Sequence, residues 1–117
     1  RDWGHAEDYV VAMWKMLNQK KAKDYVIATG KQYSVKTFVG LVCKELNIKI
    51  KWKGTGIKEK AFLNGKPIIE IDKRYFRPTE VNSLRGDAKL AKKELNWRPK
   101  YSVHDLIKDM IAKELKL

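Results

Sequence analysis

Residues 24–46, DYVIATGKQYSVKTFVGLVCKEL, decide the fold. The run at 24–29 is short and β-rich and ends at Gly30, which predicts a buried strand leading into a loop. Ser34 is then placed to cap a helix with an inward face of Val35, Phe38, Val39, Val42 and Leu46. Strand period thus gives way to helix period within one stretch, the signature of a mixed architecture. Cys43 is the only cysteine and lies among Val39, Val42 and Leu46. That setting predicts a reduced, buried thiol and a reducing, cytoplasmic compartment, not a disulfide or a metal ligand.

The same alternation extends outward. Upstream, Val10, Met13, Trp14 and Leu17 recur at i, i+3, i+4 and i+7, the stripe of an amphipathic helix over residues 7–20. Downstream, Ile48, Ile50 and Trp52 alternate with lysines, the period of a half-exposed strand whose basic side faces water. Gly54-Thr55-Gly56 breaks that pattern, and Asn64-Gly65 supplies a turn before Ile68, Ile69 and Ile71, so this part reads as a loop or a hairpin. Asp87 can cap a short helix carrying Leu90, Ala91 and Leu95, which Trp97 and Pro99 would end. Ser102 and Asp105 have the spacing of a capping box for a last helix with Val103, Leu106, Ile107, Met110 and Ile111 on its face. Helices alternating with short strands predict a small α/β or α+β domain spanning residues 1–117, with one core.

Apolar residues make up 44% of the 117 and include four Trp, five Tyr and three Phe, enough to fill such a core and to argue against disorder. Twenty-six Lys and Arg against 14 Asp and Glu give a net charge of +12, which favours phosphate-bearing partners. The lysines are scattered among apolar residues and no nucleic-acid motif accompanies them, so a solvated surface is favoured over a nucleic-acid groove. No apolar run is long enough for a membrane span, and no leader opens the chain. The first residue, Arg1, is not Met, which points to a truncated or processed start.

Complete catalytic sets are missing from the sequence: there is no Gly-rich phosphate loop, HExxH pair, CxxC or G-x-S-x-G elbow. His5 and His104 lack partners at metal-ligand spacing, which argues against zinc, and His104 is expected at the surface. Polar groups concentrate instead in residues 1–9, RDWGHAEDY, and residues 74–81, RYFRPTEV. Pro78 biases Arg77 away from helix and stiffens its loop, a setting that suits a bidentate grip on phosphate. A salt bridge from Arg77 to Asp72, Glu80 or Asp87 fits the composition equally well. Arg1 alone reads as a solvated chain end, Asp8 as a helix-dipole partner, Glu80 as an acceptor within its own loop, and His5 as filler at the helix entry.

Taken in order, RDWGHAEDYVVAMW, DYVIATGKQYSVKTFV, RYFRPTEV and GDAKLAKKELNWRPKYSVHDLIKDM resemble consecutive blocks of the GDP-mannose 4,6-dehydratases, members of the extended short-chain dehydrogenase/reductase superfamily. The resemblance covers nearly the whole chain, and YFRPTEV and the ATG…SV pair are its narrowest signals. It implies a parent lyase with an amino-terminal Rossmann domain for NADP and a smaller carboxy-terminal domain that grips GDP-mannose. This chain is similar to the latter. In such enzymes hydride leaves the hexose C4, water is lost across C5 and C6, and hydride returns to C6 to give GDP-4-dehydro-6-deoxy-mannose. Carried over by position, Arg1 and Arg77 would meet the diphosphate, and Glu80 would accept from a ribose hydroxyl. The segment between the IKIKW strand and the RPTE block looks short for the family. None of the five tyrosines has a lysine four residues on, so the Tyr-x-x-x-Lys pair of the family is missing and the chain alone is expected to be inactive, with no cofactor of its own. Two rival expectations stand beside this one: a stand-alone basic module that contacts polyanions or a protein, and a homo-oligomer held by apolar surface.

Overall fold

A computed structural model describes residues 1–116, which form two compact units. One unit is built from residues 1–35 together with the chain from Ser83 onward; the other is Lys36–Asn82. Helices and one three-stranded antiparallel sheet make up the fold, in agreement with the mixed class read from the sequence.

In the first unit the chain enters helix α1 (Ala6–Leu17) at His5, whose ring Nδ1 accepts from the Glu7 amide and thereby caps the helix. Helix α2 (Val35–Glu45) starts directly after Ser34 and runs into the second unit, and α3 (Lys89–Glu94) and α4 (Val103–Glu114) return to the first. The capping box of α4 is present: the Asp105 amide donates to Ser102 Oγ, and Asp105 Oδ2 accepts from the Ser102 amide at 2.8 Å. The core consists of Ala12, Ala88, Ala91, Leu95 and Trp97, with Tyr9, Met16, Tyr25 and Ile27 packed against it. Trp97, expected only to end a helix, is its centre at 1% exposure.

Three expectations need correction here. The stripe of α1 does not face the core: Val10, Met13, Trp14 and Leu17 are 60 to 81% exposed. The buried side of the helix is Asp8 and Ala12, with Tyr9 and Met16 against the core, offset from the stripe. Four-residue spacing describes both sides of this helix, and the methyl of Ala12 permits the closer packing. Secondly, no strand forms at 24–29 among the described residues. The Thr29 amide bonds to the Asp2 carboxylate, not to a ladder. Ala28 lies so close to Gly86 that a Cβ there would stand 2.1 Å from its own. Thirdly, the residue before α3 is Ala88, not Asp87; the Asp87 side chain accepts from the Lys89 amide at 3.0 Å in an Asx turn.

The second unit holds strands β1 (Lys51–Lys53), β2 (Lys60–Leu63) and β3 (Lys66–Glu70), in that order in the sheet. Residues 60–70 are a hairpin. Asn64 and Gly65 both have positive φ, 50° and 78°, the conformation a two-residue type I′ turn requires. Pro67 sits on edge strand β3, where it costs no ladder bond, opposite a register shift between Ala61 and Phe62. In β1 Trp52 is half-buried between two exposed lysines, as the alternation predicts, and Lys36 Nζ stands 4.9 Å from its ring centroid. Cys43 on α2 is a free, buried thiol, as expected. Val35 and Leu46, expected inward, are exposed, whereas Phe38, Val39 and Val42 are half-buried. Among the described residues no helix is long and apolar enough to cross a membrane.

Candidate functional site

The two polar segments singled out above lie one in each unit. Residues 1–4 have no regular structure of their own, yet they are tied down. The Arg1 nitrogen donates to Tyr33 O at 2.7 Å, and the Tyr33 amide donates back to Arg1 O at 2.8 Å. Asp2 accepts three bonds: Thr29 N and Thr29 Oγ1 on Oδ1, at 3.1 and 2.6 Å, and Gly30 N on Oδ2, at 2.8 Å. Arg1 is therefore no frayed end; its backbone is paired like a short strand. A Cβ at Gly4 would stand 2.4 Å from the Tyr9 hydroxyl, so any larger residue there requires the Tyr9 ring to shift. Burial, followed by the charges of Asp2 and Asp8, pushes the Tyr9 phenol above its ordinary value.

Asp8 does more than face the helix dipole. It is buried, and its two carboxylate oxygens accept from the Lys100 and Tyr101 amides, each at 3.0 Å, while its carbonyl accepts from the Trp97 indole at 2.8 Å. His5 stacks on Tyr101 with ring centroids 4.2 Å apart, and its Nε2 lies 3.3 Å from Asp109 Oδ2. With Nδ1 accepting from Glu7, Nε2 carries the proton and donates to Asp109. Lys113 first, and then His5, hold the Asp109 carboxyl below its usual range. The Tyr101 hydroxyl donates to Glu7 at 2.7 Å, which raises the phenol's pKa. His104 is exposed, as expected.

In the second unit Arg74 and Arg77 flank Tyr75 and Phe76, which are themselves exposed. Arg74 is committed. Its Nε and Nη2 donate to the Asp72 carboxylate, with the shortest contact at 2.6 Å, and its amide donates to the same group at 2.9 Å. This pairing depresses the Asp72 pKa and raises that of Arg74. Two of the three carboxylates considered as partners for Arg77 are thus engaged elsewhere, Asp72 by Arg74 and Asp87 by Lys89 at 3.7 Å. Arg77 is exposed, as are Thr79 and Glu80.

Neither segment offers a cradle for a dinucleotide. The closest pair of glycines, Gly54 and Gly56, leads into a single 3-10 turn at Gly56–Lys58 and then into β2, whereas a pyrophosphate loop needs a helix N-terminus behind it. No group of three metal-ligating side chains occurs among the described residues.

That Arg77 lies outside helix was legible in the sequence, because Pro78 follows it. The anchoring by Asp2 and Asp8 was not, since their partners lie 27 and more than 90 residues away. A family model for GDP-mannose 4,6 dehydratase matches residues 1–110. The chain is 50% identical to a GDP-mannose 4,6 dehydratase of Dictyostelium discoideum, with 99% of the chain and 33% of that protein aligned. It is 49% identical to one of Drosophila melanogaster, with 100% and 30% aligned, and 43% identical to one of Vibrio cholerae, with 99% and 34% aligned. The chain thus spans about a third of the length of the curated relatives it matches. With its blocks in order and matched over nearly all its length, the chain belongs to the GDP-mannose 4,6-dehydratase family.

Proposed function

We propose that this chain supplies the nucleotide-sugar-binding portion of a GDP-mannose 4,6-dehydratase, with Arg1 and Arg77 as diphosphate ligands and Glu80 as acceptor of a ribose hydroxyl. The observation that carries this reading is the contrast between the two arginines of RYFR in a chain of this family. Arg74 is spent on Asp72, while Arg77, stiffened by the following Pro78, stands exposed in the RPTE block. A guanidinium in that position matches two phosphate oxygens with two parallel N–H groups. Arg1 adds a second cation on backbone that is fixed before any ligand arrives.

Such a chain binds and does not turn over. Neither a Tyr-x-x-x-Lys pair nor a glycine-rich cofactor loop occurs in its sequence, so hydride transfer and proton transfer belong to other residues of the parent enzyme, an NADP-dependent lyase.

The test is an NMR titration of the 15N-labelled chain with GDP-mannose, reading the side-chain Nε–H signals of Arg1, Arg74 and Arg77. Saturable shifts are expected at Arg1 and Arg77 and not at Arg74. Arg77→Ala should weaken binding by about 1.5 to 3 kcal/mol, the worth of a charged hydrogen bond, and Arg74→Ala should leave it unchanged. Absence of saturable binding would overturn the reading; equal losses from both arginines would remove Arg77 from its special place.

A further inference from the structure

We infer that Asp2 is the positioning residue for Arg1, acting through the turn at Thr29 and Gly30. The inference rests on the reading of Arg1 as a diphosphate ligand and adds to it a residue that meets no ligand itself.

The geometry is a short relay. Three donors converge on one carboxylate: the amides of Thr29 and Gly30 and the Thr29 hydroxyl. Consecutive amides can aim at one anion when the backbone changes hand between them, and Gly30 does so at φ +78°. The Thr29 hydroxyl also accepts from the Lys31 amide at 3.2 Å, so the turn is tied both to Asp2 and to itself. Beyond the turn the chain reaches Tyr33, whose amide and carbonyl pair with Arg1 in both directions. Asp2 therefore fixes the turn, the turn fixes Tyr33, and Tyr33 fixes the backbone of Arg1.

A ligand residue on an unstructured segment loses backbone freedom when it binds, and that loss subtracts from affinity. Here the backbone is ordered beforehand by five hydrogen bonds made by Arg1 and Asp2. The Asp2 carboxylate accepts three of them, which makes it the part of the relay that a single substitution removes.

The experiment is a double-mutant cycle on the 117-residue chain, with GDP-mannose affinity read by NMR titration and folding checked by the Trp97 indole signal. Arg1→Ala should weaken binding about tenfold or more. Asp2→Ala should weaken it severalfold, Asp2→Asn by less, and amide exchange at Tyr33 should quicken in both. In the Arg1→Ala background, Asp2→Ala should cost nothing further, because its effect passes through Arg1. If Asp2→Ala does not fold, Thr29→Val replaces it, since that change removes the hydroxyl's bonds to Asp2 and Lys31 but leaves both backbone amides on the Asp2 carboxylate, and Thr29→Ser should restore affinity. Additive losses would overturn the inference. So would unchanged affinity in Asp2→Ala while Arg1→Ala weakens binding, an outcome that leaves the proposed function standing. If neither substitution matters, the assignment of Arg1 as a ligand fails, and this inference fails with it.

Discussion

Replacing Asp8 by Ala separates two explanations of an acidic residue in the first turn of a helix. If Asp8 only complements the dipole of α1, its removal costs about 0.3 to 1 kcal/mol. The structure gives it a larger task. The side chain is buried and accepts from the Lys100 and Tyr101 amides, fixing the segment that leads into α4. Each such bond to a charged acceptor contributes about 1.5 to 3 kcal/mol. Both donors are only partly buried, so water recovers some of this, and the total for Asp8→Ala comes to about 3 to 4 kcal/mol. With a urea dependence of about 1 to 3 kcal/mol per molar, the unfolding midpoint should fall by roughly 1 to 4 M. Asp8→Asn keeps one acceptor and turns an amide donor toward the other N–H, so it should lose about half as much or more. Urea unfolding followed at the Trp97 indole N–H reports on this unit specifically, because that proton is donated to Asp8 O. A loss below about 1 kcal/mol for Asp8→Ala would refute the anchoring role and return Asp8 to the dipole.

Two tryptophans should answer substitution in opposite ways: Trp97→Ala, at 1% exposure, should cost about 3 to 5 kcal/mol, and Trp14→Ala, at 68%, less than about 1, by the same urea assay. Equal costs would contradict the orientation of α1. Gly86→Ala sets a methyl 2.1 Å from the Ala28 Cβ, with no flexible side chain to yield, so the melting temperature should drop by an amount corresponding to about 1 to 3 kcal/mol, and Ala28→Gly should recover part of it. The carboxyls of Asp72, Glu94, Asp105 and Asp109 are all held below their ordinary values by hydrogen-bonded partners: Arg74 for Asp72, Lys23 for Glu94, Ser102 for Asp105 and Lys113 for Asp109. Because the unfolded chain takes up their protons first, stability is present above the ordinary carboxylate range and is lost as pH falls through the depressed values. The melting temperature should therefore decline from about pH 4 downward, and a flat profile there would contradict these pairings.

Legibility in the sequence followed the range of the interaction. The Ser102 and Asp105 capping box and the Asn64-Gly65 turn involve residues at most three apart, and both formed as read. The helix at α1 was also visible, since its periodicity is local. Asp87 was misjudged by one position because an Asx turn and an N-cap ask for the same residue type. The run at 24–29 has strand composition, but a ladder needs a neighbour, and the Thr29 amide found the Asp2 side chain instead. In the candidate site, that Arg77 lies outside helix could be read from Pro78, whereas the commitment of Arg74 to Asp72 required knowing which of the nearby arginines takes the carboxylate.

The orientation of α1 shows how a correct pattern can carry the wrong direction. Positions 10, 13, 14 and 17 are larger and more apolar than positions 8 and 12, so transfer energy alone would turn the first set inward. Two features oppose that choice. Ala12 is fully buried in a cluster that also holds Ala88 and Ala91, and three methyl side chains let the backbone approach the Trp97 ring more closely than a leucine or a second tryptophan would. The Asp8 carbonyl and carboxylate meanwhile satisfy the Trp97 indole and two backbone amides, donors that are costly to leave without acceptors. Turning the stripe inward would gain roughly 1.5 to 3 kcal/mol for each apolar side chain but would take those acceptors away and force bulk into the space of an alanine. Hence the stripe lies outside the core of this unit, and substitutions in it should cost less than those at Asp8 or Ala12.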